Sequence, residues 1–306
     1  MDRARRTRFI PRSLACVAIL MAATLAQAVD PAPGSFPSRD TYAHPEALVD
    51  VEWLATRLND PNVRIVDARM PFERALYDAA HIPGAVFGNV FALPLAPPEA
   101  FAAAMGALGI GSDTTVIVYE TGTGEWCARL WWALRYHGHE DVRLLDGGMR
   151  QWVMAGGALS SEAPAVYPAV FTPEVQAHWW AAIDEVRAAI DDPDVTLVDA
   201  IHSPSYTGDM NYFGRAGHIP SAVNLPTVNL TDTGMQTVLP PTDLSRVLQR
   251  AGLDPSKRHI TYCGAGLVGA FGAFVLHLMG FDDVALYLGG LMEWVADPSN
   301  PMATVP

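Results

Sequence analysis

Residues 257–269 read KRHITYCGAGLVG and place one cysteine, Cys263, between a short apolar run and a glycine-rich turn. The β-branched and aromatic residues at positions 259–262 predict a buried strand. Apolar residues recur at helical spacing over residues 267–279, and Gly280 follows as a stop signal, so this second stretch predicts a helix. Cys263 is therefore expected on a tight turn that joins a strand to a helix.

Such a turn can stabilise negative charge on the sulfur. Gly264 and Gly266 relax the backbone and allow amide N–H groups to point inward. The helix N-terminus adds partial positive charge, which is expected to lower the pKa of the thiol from about 8.5 and to favour the thiolate. These features indicate covalent catalysis at sulfur, although the same local sequence also fits a buried structural cysteine. The residues expected to line this anion cradle are Gly264, Ala265, Gly266, Leu267 and Val268.

Composition indicates an acidic, globular protein of about two domains. The 306 residues are 50% hydrophobic and 17% charged, which supplies enough apolar material for a sizeable core. The formal net charge is −13, and it becomes −17 without the first 28 residues, which hold five arginines and one aspartate. This charge disfavours nucleic acid as a partner, and a small anionic substrate would have to be attracted by a local field.

Residues 1–28 have the composition of a secretory signal peptide, with arginines, a short apolar run and a small-residue cleavage site. The apolar run is shorter than the roughly 20 residues of a membrane span, so no stable membrane insertion is expected after leader cleavage; an uncleaved anchor is the alternative. A proline-rich tail follows over residues 29–45. Export to the periplasm is predicted. The mature chain then keeps Cys127 and Cys263, too few cysteines for a disulfide framework.

The remaining chain repeats one order of motifs twice. Four pairs of equivalent residues lie 132, 137, 143 and 142 positions apart, in the order Asp67/Asp199, His81/His218, Tyr119/Tyr262 and Trp152/Trp294. A nearly constant offset across separate motifs indicates a duplication. Each copy is expected to open with a helix, over residues 48–59 and 180–190, followed by a buried strand.

Strands that alternate with helices predict the α/β class, with two similar domains that each contain a mostly parallel sheet flanked by helices. In such a domain the site lies at the carboxyl ends of the strands, where Cys263 is expected. The predicted boundaries are 46–156 for the first domain, 157–173 for the linker and 174–306 for the second domain.

The duplication also provides an internal control for Cys263. The first copy has Glu120 at the equivalent position, followed by a glycine-containing loop without a nucleophilic thiol. Because both copies keep the scaffold and only the second carries the reactive atom, the comparison favours Cys263 as a nucleophile over a structural cysteine.

Taken together, these motifs resemble the tandem-domain rhodanese family, the thiosulfate and 3-mercaptopyruvate sulfurtransferases. The matching segments are VDAR at 66–69, HIPGA at 81–85, WWALRYHGH at 131–139, LLDGGMRQW at 144–152 and the CGAG loop at 263–266. The resemblance implies an inactive first domain and a catalytic second domain. Cys263 would then carry a persulfide from a small anionic donor to a thiol or cyanide acceptor, without a cofactor.

The resemblance leaves the donor open between thiosulfate and 3-mercaptopyruvate. The two loop glycines are similar to the mercaptopyruvate type, but Ala265 replaces a hydroxyl residue and Ile201 replaces an arginine that the family tends to carry. Arg215, two residues before Gly217-His218, matches a place where such enzymes bind the anionic end of the donor.

The sequence offers two alternatives to sulfur transfer. Phosphatases of this fold class need an arginine six residues after the cysteine, where this chain has Gly269, so phosphoryl transfer is disfavoured. The second alternative is a non-enzymatic module that binds or senses sulfur species. It is favoured by the lack of a hydroxyl at Ala265 and of an arginine at Ile201.

The remaining polar and aromatic motifs are predicted to serve the fold. His81 and His218 recur in both copies, including the copy without a thiol, so a backbone hydrogen bond is expected for each; Asp67 and Asp199 are expected to tie strand ends to loops. No metal site is predicted, because no cluster has zinc-ligand spacing. Core positions are expected for Cys127 and for Trp131, Trp132, Trp152 and Trp294, and Arg129 is expected to pair with Asp146 or Glu125. Whether the first domain contributes to the pocket is open.

Overall fold

The computed structural model describes residues 40–305. The predicted leader at residues 1–28, and most of the proline-rich tail, lie outside this range. Within it, no helix combines the length and the apolar character needed to cross a bilayer.

The first half is built on a five-stranded parallel sheet with the order β1-β5-β4-β2-β3. Its central strands are continuous apolar runs because helices cover both faces of the sheet, so neither face meets water. The elements are β1 (Leu48–Val49), α1 (Val51–Ala55), β2 (Val63–Asp67), α2 (Arg74–Ala79), β3 (Val86–Phe87), α3 (Pro98–Ala107), β4 (Thr115–Tyr119), α4 (Glu125–Tyr136), β5 (Val142–Leu145) and α5 (Gly148–Met154).

The second half repeats this plan with a four-stranded parallel sheet and a separate hairpin. The sheet order is β11-β10-β6-β7, and β8 pairs with β9 in antiparallel fashion. The elements are α6 (Ile183–Ala189), β6 (Val195–Asp199), α7 (Ser203–Thr207), β7 (Val223–Asn224), β8 (Thr231–Asp232), β9 (Thr237–Val238), α8 (Pro241–Arg250), β10 (Arg258–Tyr262), α9 (Val268–Leu278), β11 (Val284–Tyr287) and α10 (Gly290–Ala296).

The predicted α/β class, the repeat and the parallel sheets are confirmed. Strands β2 and β4 pair in one sheet as β6 and β10 pair in the other. The edge differs, because the place of β1 is taken in the second sheet by a single bridge from Trp180 to Leu286. Both sheets therefore present a loop at the carboxyl end of a central strand, and each of these loops leads into a buried helix.

The first predicted helix, residues 48–59, is wrong in its extent. Leu48–Val49 forms an edge strand beside β5 instead. Asp50 is in an extended conformation and accepts a hydrogen bond from the Trp53 amide at 2.7 Å, which makes it the N-cap of α1. The apolar spacing was real, but the N-cap starts the helix three residues later, at Val51, and the helix ends at Ala55.

The two halves share one apolar cluster that is centred on helices α4 and α9. Trp131 of α4 packs edge to face on Phe274 of α9, with ring centroids 5.2 Å apart, and also on Trp179. The segment between the halves is tied to the first one, since Ser160 bridges to His81 and Phe171 is buried. A loop that follows one sheet can consequently be reached by side chains of the other half.

Candidate active site

Cys263 lies at the end of the central strand β10 and begins the loop to α9, as predicted. It forms no disulfide and is 2% exposed. Ala265, two residues after the cysteine at the tip of the loop, is exposed to solvent. The position follows from the sequence, because an apolar strand must end where the polar turn begins and the next helix must return over the sheet.

Backbone amides of the loop point at the sulfur. The Leu267 N–H donates to Sγ at 3.1 Å, and the amides of Ala265, Gly266 and Gly269 also stabilise its anion. Gly269 is not among the residues predicted to line the cradle. Since α9 starts at Val268, Gly269 belongs to the first helical turn, whose amides have no partner inside the helix, and this general property is the signal that could have identified it.

The two loop glycines are required for different reasons. Gly266 has φ +71°, in the region that favours glycine, and a Cβ there would lie 2.5 Å from the Leu288 side chain. Gly264 does not adopt a positive φ; instead, a Cβ at this residue would lie 2.6 Å from the ring of Phe213. The prediction that glycine is needed for its backbone conformation is confirmed at Gly266. At Gly264, glycine is needed because the ring of Phe213 leaves no space for a side chain. Val268 begins α9.

The predicted lowering of the thiol pKa is wrong. Burial raises the pKa of Cys263 above its ordinary value, and the four amides offset this effect only in part. The physical reason is desolvation: a thiolate removed from water loses more hydration than neutral amide dipoles return. The sulfur therefore has a cradle for its anion but needs further positive charge to ionise readily near neutral pH.

Arg129 of helix α4 is the cation that reaches this loop from the first half. Its Nη1 donates to the carbonyl oxygens of Ala265 at 3.3 Å and Gly266 at 3.4 Å, and its Nε donates to that of Val90 at 3.4 Å. The expected pairing with Asp146 or Glu125 is wrong, since neither forms an ion pair with Arg129 among residues 40–305.

Arg215 lies on a segment that passes the loop but does not contact the sulfur. Its Nη1 donates to the carbonyl oxygen of Asp297 at 3.3 Å, and the residue is half-buried. Two positions earlier, Phe213 packs on Gly264. The segment thus borders the site, and the predicted contact between Arg215 and a donor stays a prediction.

The equivalent loop of the first half has the same cradle, occupied by a carboxylate. Glu120 accepts hydrogen bonds from the amides of Gly124 at 2.6 Å and Trp126 at 3.1 Å. These two residues stand 143 positions before Leu267 and Gly269, whose amides stabilise the anion of the Cys263 sulfur. Burial, followed by the charge of Glu125, raises the pKa of Glu120 to about 8. Both loops consequently aim matching amides at an acidic group.

The duplicated Asp and His residues serve the fold, as predicted. The carboxylates of Asp67 and Asp199 accept hydrogen bonds from the amides two residues later, which ties each strand end to its loop. His81 and His218 each bond a backbone carbonyl through Nδ1, at 2.8 Å and 2.7 Å, and stack on a tyrosine.

Cys127 and the four tryptophans also occupy the predicted core positions. Cys127 is 2% exposed, and burial raises its thiol pKa. The tryptophans are at most 1% exposed, namely Trp131, Trp132, Trp152 and Trp294. Over residues 40–305 no group of His, Cys, Asp or Glu side chains is arranged to hold a metal ion.

Comparison with known proteins gives a consistent result for both halves. The family model described as "Rhodanese-like domain" matches residues 50–155 and again residues 182–297. A probable 3-mercaptopyruvate sulfurtransferase of Pseudomonas aeruginosa is 33% identical over 84% of this chain and 98% of its own length. The sulfur carrier protein TtuD of Thermus thermophilus is 32% identical over 83% of this chain and 95% of its own length.

Solved structures of similar shape include an enzyme of ergothioneine biosynthesis. The anaerobic ergothioneine biosynthesis enzyme from Chlorobium limicola, in complex with trimethyl histidine, has a TM-score of 0.76 and 28% identity. The match covers 85% of this chain and 71% of that one.

Proposed function

The chain belongs to the rhodanese-like domain family, and from this we propose that it is a sulfurtransferase that works through a persulfide on Cys263. The donor is a small anion, thiosulfate or 3-mercaptopyruvate, and the acceptor is cyanide or a thiol. Relatives with sulfurtransferase names over most of the chain support this reaction class.

The first step forms a bond between the Cys263 sulfur and the outer sulfur of the donor. The thiolate attacks, the bond from that sulfur to the rest of the donor breaks, and the electron pair leaves with sulfite or with the enolate of pyruvate. The enolate takes the proton that the transferred thiol carried. The enzyme then holds Cys–S–S⁻, and the amides of Leu267 and its neighbours, which face Sγ, are proposed to stabilise this anion.

The second step returns the cysteine. The acceptor attacks the outer sulfur, the S–S bond breaks, and the electron pair goes back to Sγ as thiolate. With cyanide the product is thiocyanate. No external oxidant or reductant is needed, because the sulfur moves with its electrons balanced in both steps.

The observation that carries the proposal is the convergence of several amides on one thiol that only the second half possesses. Helix and loop amides act as preorganised dipoles, so they stabilise the anion without rearrangement during the reaction. Arg215 is proposed to bind the carboxylate or sulfonate of the donor; to do so, its guanidinium would exchange the Asp297 carbonyl for the donor oxygens.

Mass spectrometry of the protein after incubation with each donor tests the first step. One additional sulfur is expected on the peptide that contains Cys263 and none on the peptide that contains Cys127, which is buried in the first half. The variant Cys263→Ser should gain none. If neither donor modifies Cys263, the proposed donors are wrong.

A second candidate is a carrier or sensor that accepts sulfur but does not turn over. Two observations favour it: the raised thiol pKa, and Ala265, which supplies no hydroxyl to the loop. The similarity to a protein named as a sulfur carrier points the same way. Steady-state formation of thiocyanate from cyanide separates the two, because a carrier would release at most one sulfur per chain.

We also propose export to the periplasm and no role for nucleic acid. The support is the leader-like composition of residues 1–28 and the acidic charge of the remaining chain. The N-terminal mass of the protein recovered from a periplasmic fraction tests cleavage after Ala28. Recovery of the uncleaved chain in the membrane fraction would contradict it.

A further inference from the structure

The side chain of Arg129 extends from the first half of the molecule to the loop that follows Cys263 in the second half. It is partly buried and lies on α4, the helix that packs on α9. Its guanidinium binds backbone carbonyls of the loop, at Ala265 and Gly266, and also the Val90 carbonyl of its own half. The guanidinium is therefore bonded to backbone carbonyls of both halves.

The two carbonyls that Arg129 binds belong to the peptide units that serve the sulfur. The Ala265 carbonyl shares a planar peptide with the Gly266 N–H, and the Gly266 carbonyl shares one with the Leu267 N–H. In a trans peptide the carbonyl and the N–H point in opposite directions. Holding both carbonyls outward consequently keeps both amides turned toward Cys263 Sγ, where the Leu267 contact is 3.1 Å long.

The charge of Arg129 acts on the same atom. Burial lowers the pKa of the Arg129 guanidinium, and the negative charge of an ionised Cys263 raises it again. This coupling is mutual, so the guanidinium favours the thiolate by the same interaction. The amides of the loop leave the thiol pKa above its ordinary value, which makes an added cation useful at this point.

Among residues 40–305, no Lys or Arg side chain of the second half is hydrogen-bonded to the first loop; Gln236, which is neutral, donates to the Thr121 carbonyl oxygen at 3.1 Å. The position in α9 that corresponds to Arg129, 143 residues later, is Gly272. The α9 residue that reaches the first loop is Phe271, whose ring would lie 2.9 Å from a Cβ at Gly124. The guanidinium of Arg129 thus contacts the loop with the cysteine, whereas the apolar ring of Phe271 packs on the loop without it.

We propose that Arg129 is a positioning residue of the first half that orients the Gly266 and Leu267 amides and supports ionisation of Cys263. The non-catalytic half would then contribute directly to the reactivity of the catalytic half. The inference deepens the proposed sulfur transfer and rests on it for its biological meaning, but its physical content is the state of the thiol.

Alkylation of Cys263 by iodoacetamide across pH 6–11, followed on the Cys263 peptide by mass spectrometry, measures that state. Arg129→Met, which keeps the side-chain stem, is expected to move the midpoint of the rate profile up by about one pH unit. Arg129→Lys keeps the charge but lacks the forked guanidinium that bridges two carbonyls, so its midpoint should lie between those of Met and wild type.

Arg135→Met is the matched control on the same helix. Arg135 donates to the Glu140 carbonyl within the first half, and this variant should have the wild-type midpoint. An unchanged midpoint in Arg129→Met overturns the proposal. If Arg129→Lys has the wild-type midpoint, charge alone explains the effect and the positioning role is overturned. If Arg129→Met fails to fold, the midpoint of Arg129→Lys tests the positioning role instead.

Failure of this inference and failure of the proposed function are distinguishable. Alkylation needs no sulfur donor, so a shifted midpoint supports Arg129 even if thiosulfate and 3-mercaptopyruvate are both inert. Conversely, sulfur loading of Cys263 with an unchanged Arg129→Met midpoint would remove only the role of Arg129.

Discussion

The loops after β4 and β10 offer nearly the same backbone cradle to two different acidic groups. In the first loop the amides of Gly124 and Trp126 bind the carboxylate of Glu120; in the second the equivalent amides face the sulfur of Cys263. Burial raises the pKa of both groups. The comparison teaches that a ring of amides at a helix N-terminus orients an anion but does not overcome its desolvation.

What differs between the loops is the environment supplied by the rest of the molecule. Glu120 has a second carboxylate, Glu125, nearby and an apolar ring, Phe271, on its loop. Cys263 has the guanidinium of Arg129 on its loop. The scaffold is thus shared, and the two loops differ by one replaced side chain and by one cation that contacts the second loop across the interface.

A second contrast lies one strand away, at the duplicated aspartates. Asp67 forms a buried, bidentate ion pair with Arg69, with the shortest contact at 2.6 Å. The second copy has Ile201 in place of this arginine. Asp199 keeps the hydrogen bond from the Ile201 amide but forms no ion pair among residues 40–305, and burial raises its pKa to about 6.

The largest expected effect compares the two cysteines, one in each half. Cys263→Ser should lower cyanide-dependent sulfur transfer by at least about 1000-fold, because a serine hydroxyl cannot hold the transferred sulfur. Cys127→Ala should retain transfer within about threefold, since its thiol lies in the core of the first half. Thiocyanate formation measures both. Retained transfer in Cys263→Ser would place the reaction elsewhere in the molecule.

The second prediction compares the two aspartates. Asp67→Asn leaves the buried Arg69 without its charge partner and is expected to lower the free energy of unfolding by about 3–5 kcal/mol. Asp199→Asn removes a carboxylate that is mostly ionised at pH 7 but that burial already destabilises in the folded state, so a loss of no more than about 1 kcal/mol is expected. Urea unfolding at pH 7 measures both. Equal losses would show that the missing arginine has no energetic consequence.

The third prediction concerns the carboxylate in the first loop. The folded state holds the Glu120 proton up to a pKa of about 8, whereas the unfolded chain releases it near 4.5. The folded state therefore loses stability as the pH rises from about 4.5 to 8. Glu120→Gln cannot ionise and keeps an acceptor oxygen, so it should be more stable than wild type at pH 8 by about 2–3 kcal/mol.

Glu99→Gln, at an exposed site of α3, is the control for this substitution. It should leave the pH dependence of urea unfolding unchanged. A Glu120→Gln profile that parallels the wild type from pH 5 to 8 would mean that Glu120 is ionised in the folded state throughout this range.

Particular residues show how far the sequence specifies this site. Apolar strands, recurring motifs and the offset of 143 between Tyr119 and Tyr262 were enough to predict the two parallel sheets and the position of Cys263. These features depend on local pattern and on the repeat. The roles of Phe213 and Arg129 were missed because each depends on a contact between segments far apart in the chain. The direction of the thiol pKa shift was missed because desolvation depends on packing around the sulfur, which no motif records.

The smallest expected effect compares the strands that lead into the two loops. His259 in β10 is fully buried, and burial lowers its pKa to about 4; the equivalent residue of β4 is the equally buried Val116. Because the unfolded chain binds the proton near pH 6.5, the contribution of His259 to stability is present above that pH and is lost as the pH falls toward 4. Wild type should lose about 1–2 kcal/mol more than His259→Val between pH 7 and pH 5. Urea unfolding at the two pH values measures this difference. The same loss in both proteins would assign the acid sensitivity to other groups, and the strands would then differ in sequence without differing in their response to pH.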